Sequence, residues 1–117
     1  MNLNSILIGS EDSQRLAAYY TGLFGKPEWE DGPYTGWRIG TGGVLVGPHD
    51  EVKGANLQPG RIIWNVESND VAGDFERLKA AGAIVVKEPY KPSETSPALI
   101  ATFSDPDGNY FQLVSPM

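Results

Sequence analysis

The sequence predicts an α+β fold made of two copies of a β-α-β-β-β module. Three observations carry this. Two short apolar runs, Ser5-Ile6-Leu7-Ile8 and Ile62-Ile63-Trp64-Asn65-Val66, each lead into a segment rich in helix-capping side chains. Each segment opens an apolar stripe at helical spacing that stops at a glycine. Setting the two helix starts and stops in register gives a repeat of roughly 57 or 58 residues, half the chain.

In the first module, Ser10-Glu11-Asp12-Ser13 offers capping oxygens. Leu16, Tyr20, Leu23 and Phe24 form the stripe, and Gly25 is the stop. Strand-like runs follow at 27–30, 34–39 and 44–46, with Gly40-Thr41-Gly42-Gly43 as a hairpin turn. In the second module Ser68-Asn69-Asp70 is the cap region, Val71, Phe75 and Leu78 the stripe, and Gly82 the stop. Its later strands are expected at 84–87, 99–103 and 110–114. The last of them follows Asp105-Pro106-Asp107-Gly108-Asn109, which has the chemistry of a tight turn. The whole is one domain: module one at 1–52, a connector at 47–60 containing Pro48, Gly54 and Pro59, and module two at 61–117. The Pro-rich loop at 88–97 is either a flap or only a long connection.

A chain of 117 residues holds one core, and 40% apolar with 21% charged residues is a globular composition. The net charge of −6 repels phosphate backbones and anionic membranes, so neither nucleic acid nor a membrane is expected as a partner. Cysteine is absent, which removes disulfides, thiolate metal sites and cysteine nucleophiles. The first residues lack a basic segment and a long apolar run, so a cytoplasmic location is the expectation.

Alternation along the strands sorts the remaining side chains. Ile6, Ile8, Ile62, Trp64, Val66, Phe111 and Leu113 should face the helices. Ser5, Leu7, Val44, Val46, Arg61, Ile63, Asn65, Tyr110, Gln112 and Val114 should line the other face. The faces taken by Trp29 and Trp37 are not fixed by spacing; either could stack on a flat ligand, fill the core or meet a partner chain.

The duplicated module order, Ala18-Tyr19-Tyr20 with Leu23-Phe24-Gly25, Asp70 with Leu78-Lys79-Ala80-Ala81-Gly82, and the turn at 105–109 together resemble the vicinal oxygen chelate superfamily. That superfamily holds glyoxalase I, bleomycin-resistance proteins and extradiol dioxygenases. The resemblance covers nearly the whole chain. It implies curved mixed sheets around a cavity, a homodimer, and in the enzymes a divalent metal held by His, Glu or Gln from the first and last strands of each module. The matching positions are Ser5, Arg61 or Ile63, Val44 or Val46, and Gln112, of which Gln112 alone has a suitable oxygen. No metal or other cofactor is therefore expected. His49, the one histidine, reads as a loop residue; His49-Asp50-Glu51 are neighbours that seldom converge on one ion.

The candidate ligand-binding residues are Ser5, Leu7, Trp37, Val46, Arg61, Ile63, Asn65, Tyr110 and Gln112. Gln112 is either a ligand contact or a hydrogen bond inside the sheet. Arg61 either clamps a ligand oxyanion or neutralises Glu67 or a partner-chain carboxylate. Two functions follow. The first is metal-free binding or sequestration of a small aromatic or amphipathic molecule; the second is a glyoxalase-like lyase, isomerase or dioxygenase acting on a small metabolite. A chiefly structural or interaction module stays open beside these two.

Overall fold

Strand alternation and capping chemistry set out the elements in the expected order. In the computed structural model, which describes residues 1–116, two compact units meet between Gly54 and Ala55, inside the connector. The first contains β1 (Ser5–Gly9), α1 (Ser13–Phe24), β2 (Trp29–Asp31), β3 (Tyr34–Ile39) and β4 (Gly42–Gly47). The second contains β5 (Trp64–Glu67), α2 (Val71–Ala80), β6 (Ile84–Tyr90), β7 (Ile100–Ser104) and β8 (Tyr110–Val114). Each unit forms a four-stranded mixed sheet, ordered β1-β4-β3-β2 in the first and β5-β8-β7-β6 in the second. The pairs β1/β4 and β5/β8 are parallel and the others antiparallel.

The repeat holds at the level of single hydrogen bonds. Buried Ser10 and Ser68 each follow the first strand of their unit, and each backbone N–H donates to the end of the parallel neighbour, at Gly47 O (2.9 Å) and Val114 O (2.8 Å). Each hydroxyl accepts the N–H of the helix N-cap, from Asp12 and Asp70, both at 3.1 Å. The two aspartates then cap their helices by accepting from Arg15 N and Gly73 N. Gly25 closes α1 at φ 89°, which a side chain rarely tolerates.

One face of each sheet is covered by its own helix. Leu16, Tyr20 and Leu23 of α1 are buried with Val44, Val46 and Trp37. In the second unit Phe75 of α2 stacks on Phe103, which stacks on Phe111, which stacks on Trp64, at centroid spacings of 5.4, 5.2 and 4.9 Å. Burying such rings together is the main stabilising term of a small sheet-and-helix unit.

Two strand expectations need correction. The run at 62–66 becomes strand only from Trp64, because Pro59-Gly60-Arg61 turns as a short 3-10 helix ahead of it. Ile62 is therefore 79% exposed and does not face α2. β6 extends to Tyr90, three residues beyond expectation, with register shifts between Val85 and Lys87 and between Lys87 and Tyr90 that bend it against β7. Among the described residues no helix is long and apolar enough to cross a membrane.

Candidate functional site

Residues paired across neighbouring strands share a face, so the register defines what each open sheet face presents. In the first unit Leu7, Leu45, Gly36 and Trp29 form one row across β1, β4, β3 and β2. Ser5, Gly43 and Arg38 form the next. Neither row lies under α1: Leu7 is 54% and Trp29 40% exposed.

The glycines in these rows make room for the indole. A Cβ added at Gly36 would stand 2.7 Å from the Trp29 ring, so the ring lies directly over that backbone. The Arg38 guanidinium sits 5.0 Å from the Trp29 centroid, and its Nε donates to Glu28 Oε2 at 3.2 Å. Beside this stack is a hollow of about 200 Å³ lined by Asn4, Ser5, Trp29, Arg38, Gly43 and Leu45. A larger hollow of about 480 Å³ lies on the helix side, between α1 residues such as Ala17, Ala18 and Thr21 and the β2–β3 hairpin at Pro33 and Thr35. Its walls are mostly short side chains, and it lacks the convergence of ring, cation and neutral polar groups found on the open face.

The register removes two expected site residues. Val46 pairs with Ile8 and Thr35, and Val44 with Ile6 and Trp37, which places both valines on the helix-covered face. Val46 is fully buried. Trp37 is 2% exposed, packs 6.2 Å from the Tyr20 ring, and donates its Nε1–H to Gly25 O at 2.9 Å. Trp37 is thus a core residue that ties β3 to the end of α1. The side chain of β4 that reaches the open face is Leu45.

In the second unit the open face carries a polar row: Asn65 on β5, Gln112 on β8, Thr102 on β7 and Lys87 on β6. The Gln112 Nε2–H donates to Thr102 Oγ1 at 3.1 Å, and Thr102 is 6% exposed. The amide therefore makes a cross-strand hydrogen bond through Nε2, while its Oε1 is chemically an acceptor. Lys87 holds its ammonium 4.0 Å from the Tyr90 ring centroid. Tyr110 is on this same face, paired with Ser104.

Arg61 and Ile63 are not on the sheet, since β5 begins at Trp64. The Arg61 side chain folds back on its own turn, donating from Nε (3.1 Å) and Nη2 (2.6 Å) to Gln58 Oε1. With Pro59 and Gly60 favouring a turn over extended chain, Arg61 is not at the start of the strand, the position from which a clamp was one of its two expected roles.

The open-face donors can be tested against a divalent metal. On the open face of the first sheet, Ser5 and Leu7 on β1 and Gly43 and Leu45 on β4 supply neutral oxygens at best, and Arg38 adds a positive charge next to Ser5. On that of the second sheet, Asn65 on β5 and Gln112 on β8 are neutral as well. Hard divalent ions bind anionic oxygen or imidazole sets, so neither face by itself fits one. Among the described residues, no three His, Cys, Asp or Glu side chains are grouped to hold a metal ion.

Sequence reasoning missed Asn4, Arg38, Gly43, Leu45 and Thr102. A signal was available for the β4 residues. In Gly43-Val44-Leu45-Val46-Gly47 the glycines and valines alternate. Pairing the valines with Ile6 and Ile8, already assigned to the core, would have turned Leu45 outward.

This architecture, two β-α-β-β-β units each with an open sheet face, is that of the glyoxalase and bleomycin-resistance proteins. The model of the glyoxalase-like domain family matches residues 5–114, and the chain belongs to that family. It resembles a glyoxalase/bleomycin resistance protein/dioxygenase family enzyme from Burkholderia phytofirmans PsJN over 100% of both chains, with a TM-score of 0.75 and 20% identity. A glyoxalase-related enzyme from Fulvimarina pelagi matches with a TM-score of 0.73 and 20% identity, over 99% of this chain and 88% of its own. TioX from Micromonospora sp. ML1 matches over 100% of both chains, with a TM-score of 0.72 and 20% identity. At such identities the likeness is one of fold. No curated protein sequence matches the chain significantly.

Proposed function

We propose that the protein binds a small aromatic or amphipathic organic molecule on its open sheet faces, without a divalent metal. The observation that carries this reading is the hollow of about 200 Å³ against Trp29, where apolar surface and neutral and cationic hydrogen-bond donors converge. Apolar walls with a few placed polar groups are the usual make-up of an organic-ligand site. The Asn65 and Gln112 amides and the Tyr110 phenol on the second sheet would add uncharged hydrogen bonds to the same class of ligand.

A thermal-shift screen of small aromatic compounds, run with and without EDTA, tests it. At a hundred times the dissociation constant, binding to the native state adds about 2.7 kcal/mol. For a domain of this size that raises Tm on the order of 10 °C. The expected result is a shift that EDTA leaves unchanged. A shift seen only with added divalent metal, or none across a broad panel, would refute the reading.

A further inference from the structure

We infer that the hollow beside Trp29 is a carboxylate subsite, taking a small aromatic monocarboxylate with its anionic end on Arg38. This rests on the binding reading above and names the chemical class of its ligand.

Two neighbours orient the half-exposed Arg38 guanidinium: the Trp29 ring face at 5.0 Å and Glu28 Oε2 at 3.2 Å. Glu28 takes the Nε edge. The edge carrying the two Nη groups is left, and it is the fork that pairs bidentately with a carboxylate.

The other groups of the hollow suit the same ligand. Asn4 and Ser5 place an amide and a hydroxyl on its wall, both able to donate to a carboxylate oxygen. Leu45 and the edge of Trp29 supply apolar surface for a ring. Gly43 leaves room for the Ser5 side chain and the Trp29 ring to close the wall, since an added Cβ would stand 3.3 Å from the Ser5 Cβ and 3.8 Å from the Trp29 ring. At about 200 Å³ the space is smaller than the roughly 300–1,000 Å³ of drug-sized pockets, so it suits a single substituted ring. Glu28 offsets part of the guanidinium charge, so what attraction is left favours a monoanion over a more highly charged ligand. A phosphate dianion would be poorly balanced there, on a chain of net charge −6.

Isothermal titration of the full chain with benzoate and with its uncharged isostere benzamide tests the inference. The expected result is that benzoate binds about tenfold tighter than benzamide, the size of one partly solvated charge-assisted pair. In Arg38→Gln the preference of benzoate over benzamide should disappear. Equal affinities in the parent protein, or a benzoate preference that survives Arg38→Gln, would overturn the carboxylate subsite. Benzamide binding with no benzoate preference would leave the broader binding reading standing. Failure of both, with no thermal shift from any aromatic compound, would overturn the two together.

Discussion

At the scale of the residue, Asp105 shows how a buried polar side chain can be purely structural. It is 2% exposed, and its carboxylate accepts from Asp107 N (2.9 Å), Asn109 N (3.0 Å) and Asn109 Nδ2 (2.9 Å to Oδ2). These bonds hold the turn that aims β8, and with it Gln112, across the sheet. Asp105→Ala would leave buried donors unmet and should cost about 3 kcal/mol, lowering Tm on the order of 10 °C. Chemical denaturation giving a loss under about 1 kcal/mol would mean the turn is held by its backbone alone. Gln112 is the contrasting case. Its alternation with Phe111 and Leu113 was readable in the sequence, and it does lie on the open face. Its bond to Thr102 was not readable, because the partner comes from another strand and its position depends on the β7/β8 register.

At the scale of the element, the β2–β3–β4 ribbon builds the hollow by placing glycines under rings. Trp29 lies over Gly36, and Tyr34 lies over Gly47 in the same way. Gly36→Ala would put a methyl within 2.7 Å of the indole and force the half-exposed ring off the sheet. The expected outcome is a small stability change, about 1 kcal/mol or less, with red-shifted tryptophan emission and weakened ligand binding. Unchanged emission and unchanged affinity would show that the ring is not seated there. Helices, caps and core rings were legible because their signals are local: Asp12 and Asp70, Gly25, and the stripe from Leu16 to Leu23 all play the parts their spacing implies. The face of β4 was not legible from its own alternation. A strand buried beneath a helix and bordered by glycines reads alike in either orientation until its partner is known. Val46 went to the wrong face for that reason, Trp37, whose face spacing left open, takes the core alternative, and Arg61 left the strand because the turn at Pro59-Gly60 outweighed the apolar run after it.

At the scale of the whole molecule, both sheets end in strands with one unpaired edge. In the first unit these are β1 and β2, in the second β5 and β6. β6 is guarded by two register shifts and by Lys87 and Glu88, the usual defences against edge pairing. β1 has no such defence: its Leu7 is an exposed apolar residue, and Leu3 just before the strand is another. We propose a homodimer on this ground, since a second copy is the simplest cover for an undefended edge. Multi-angle light scattering should give twice the chain mass at micromolar concentration; a single chain mass throughout would contradict it.

Binding of an organic molecule without a metal is proposed first of all at the open sheet face beside Trp29. Amide chemical-shift mapping tests it most directly, using any compound that raises Tm in the presence of EDTA. The account predicts perturbations at Ser5, Leu7, Gly36, Gly43 and Leu45 and at the Trp29 indole N–H, with Ala17, Ala18 and Thr21 of α1 unmoved. Perturbations confined to those α1 residues and the β2–β3 hairpin, with the open face silent, would contradict it.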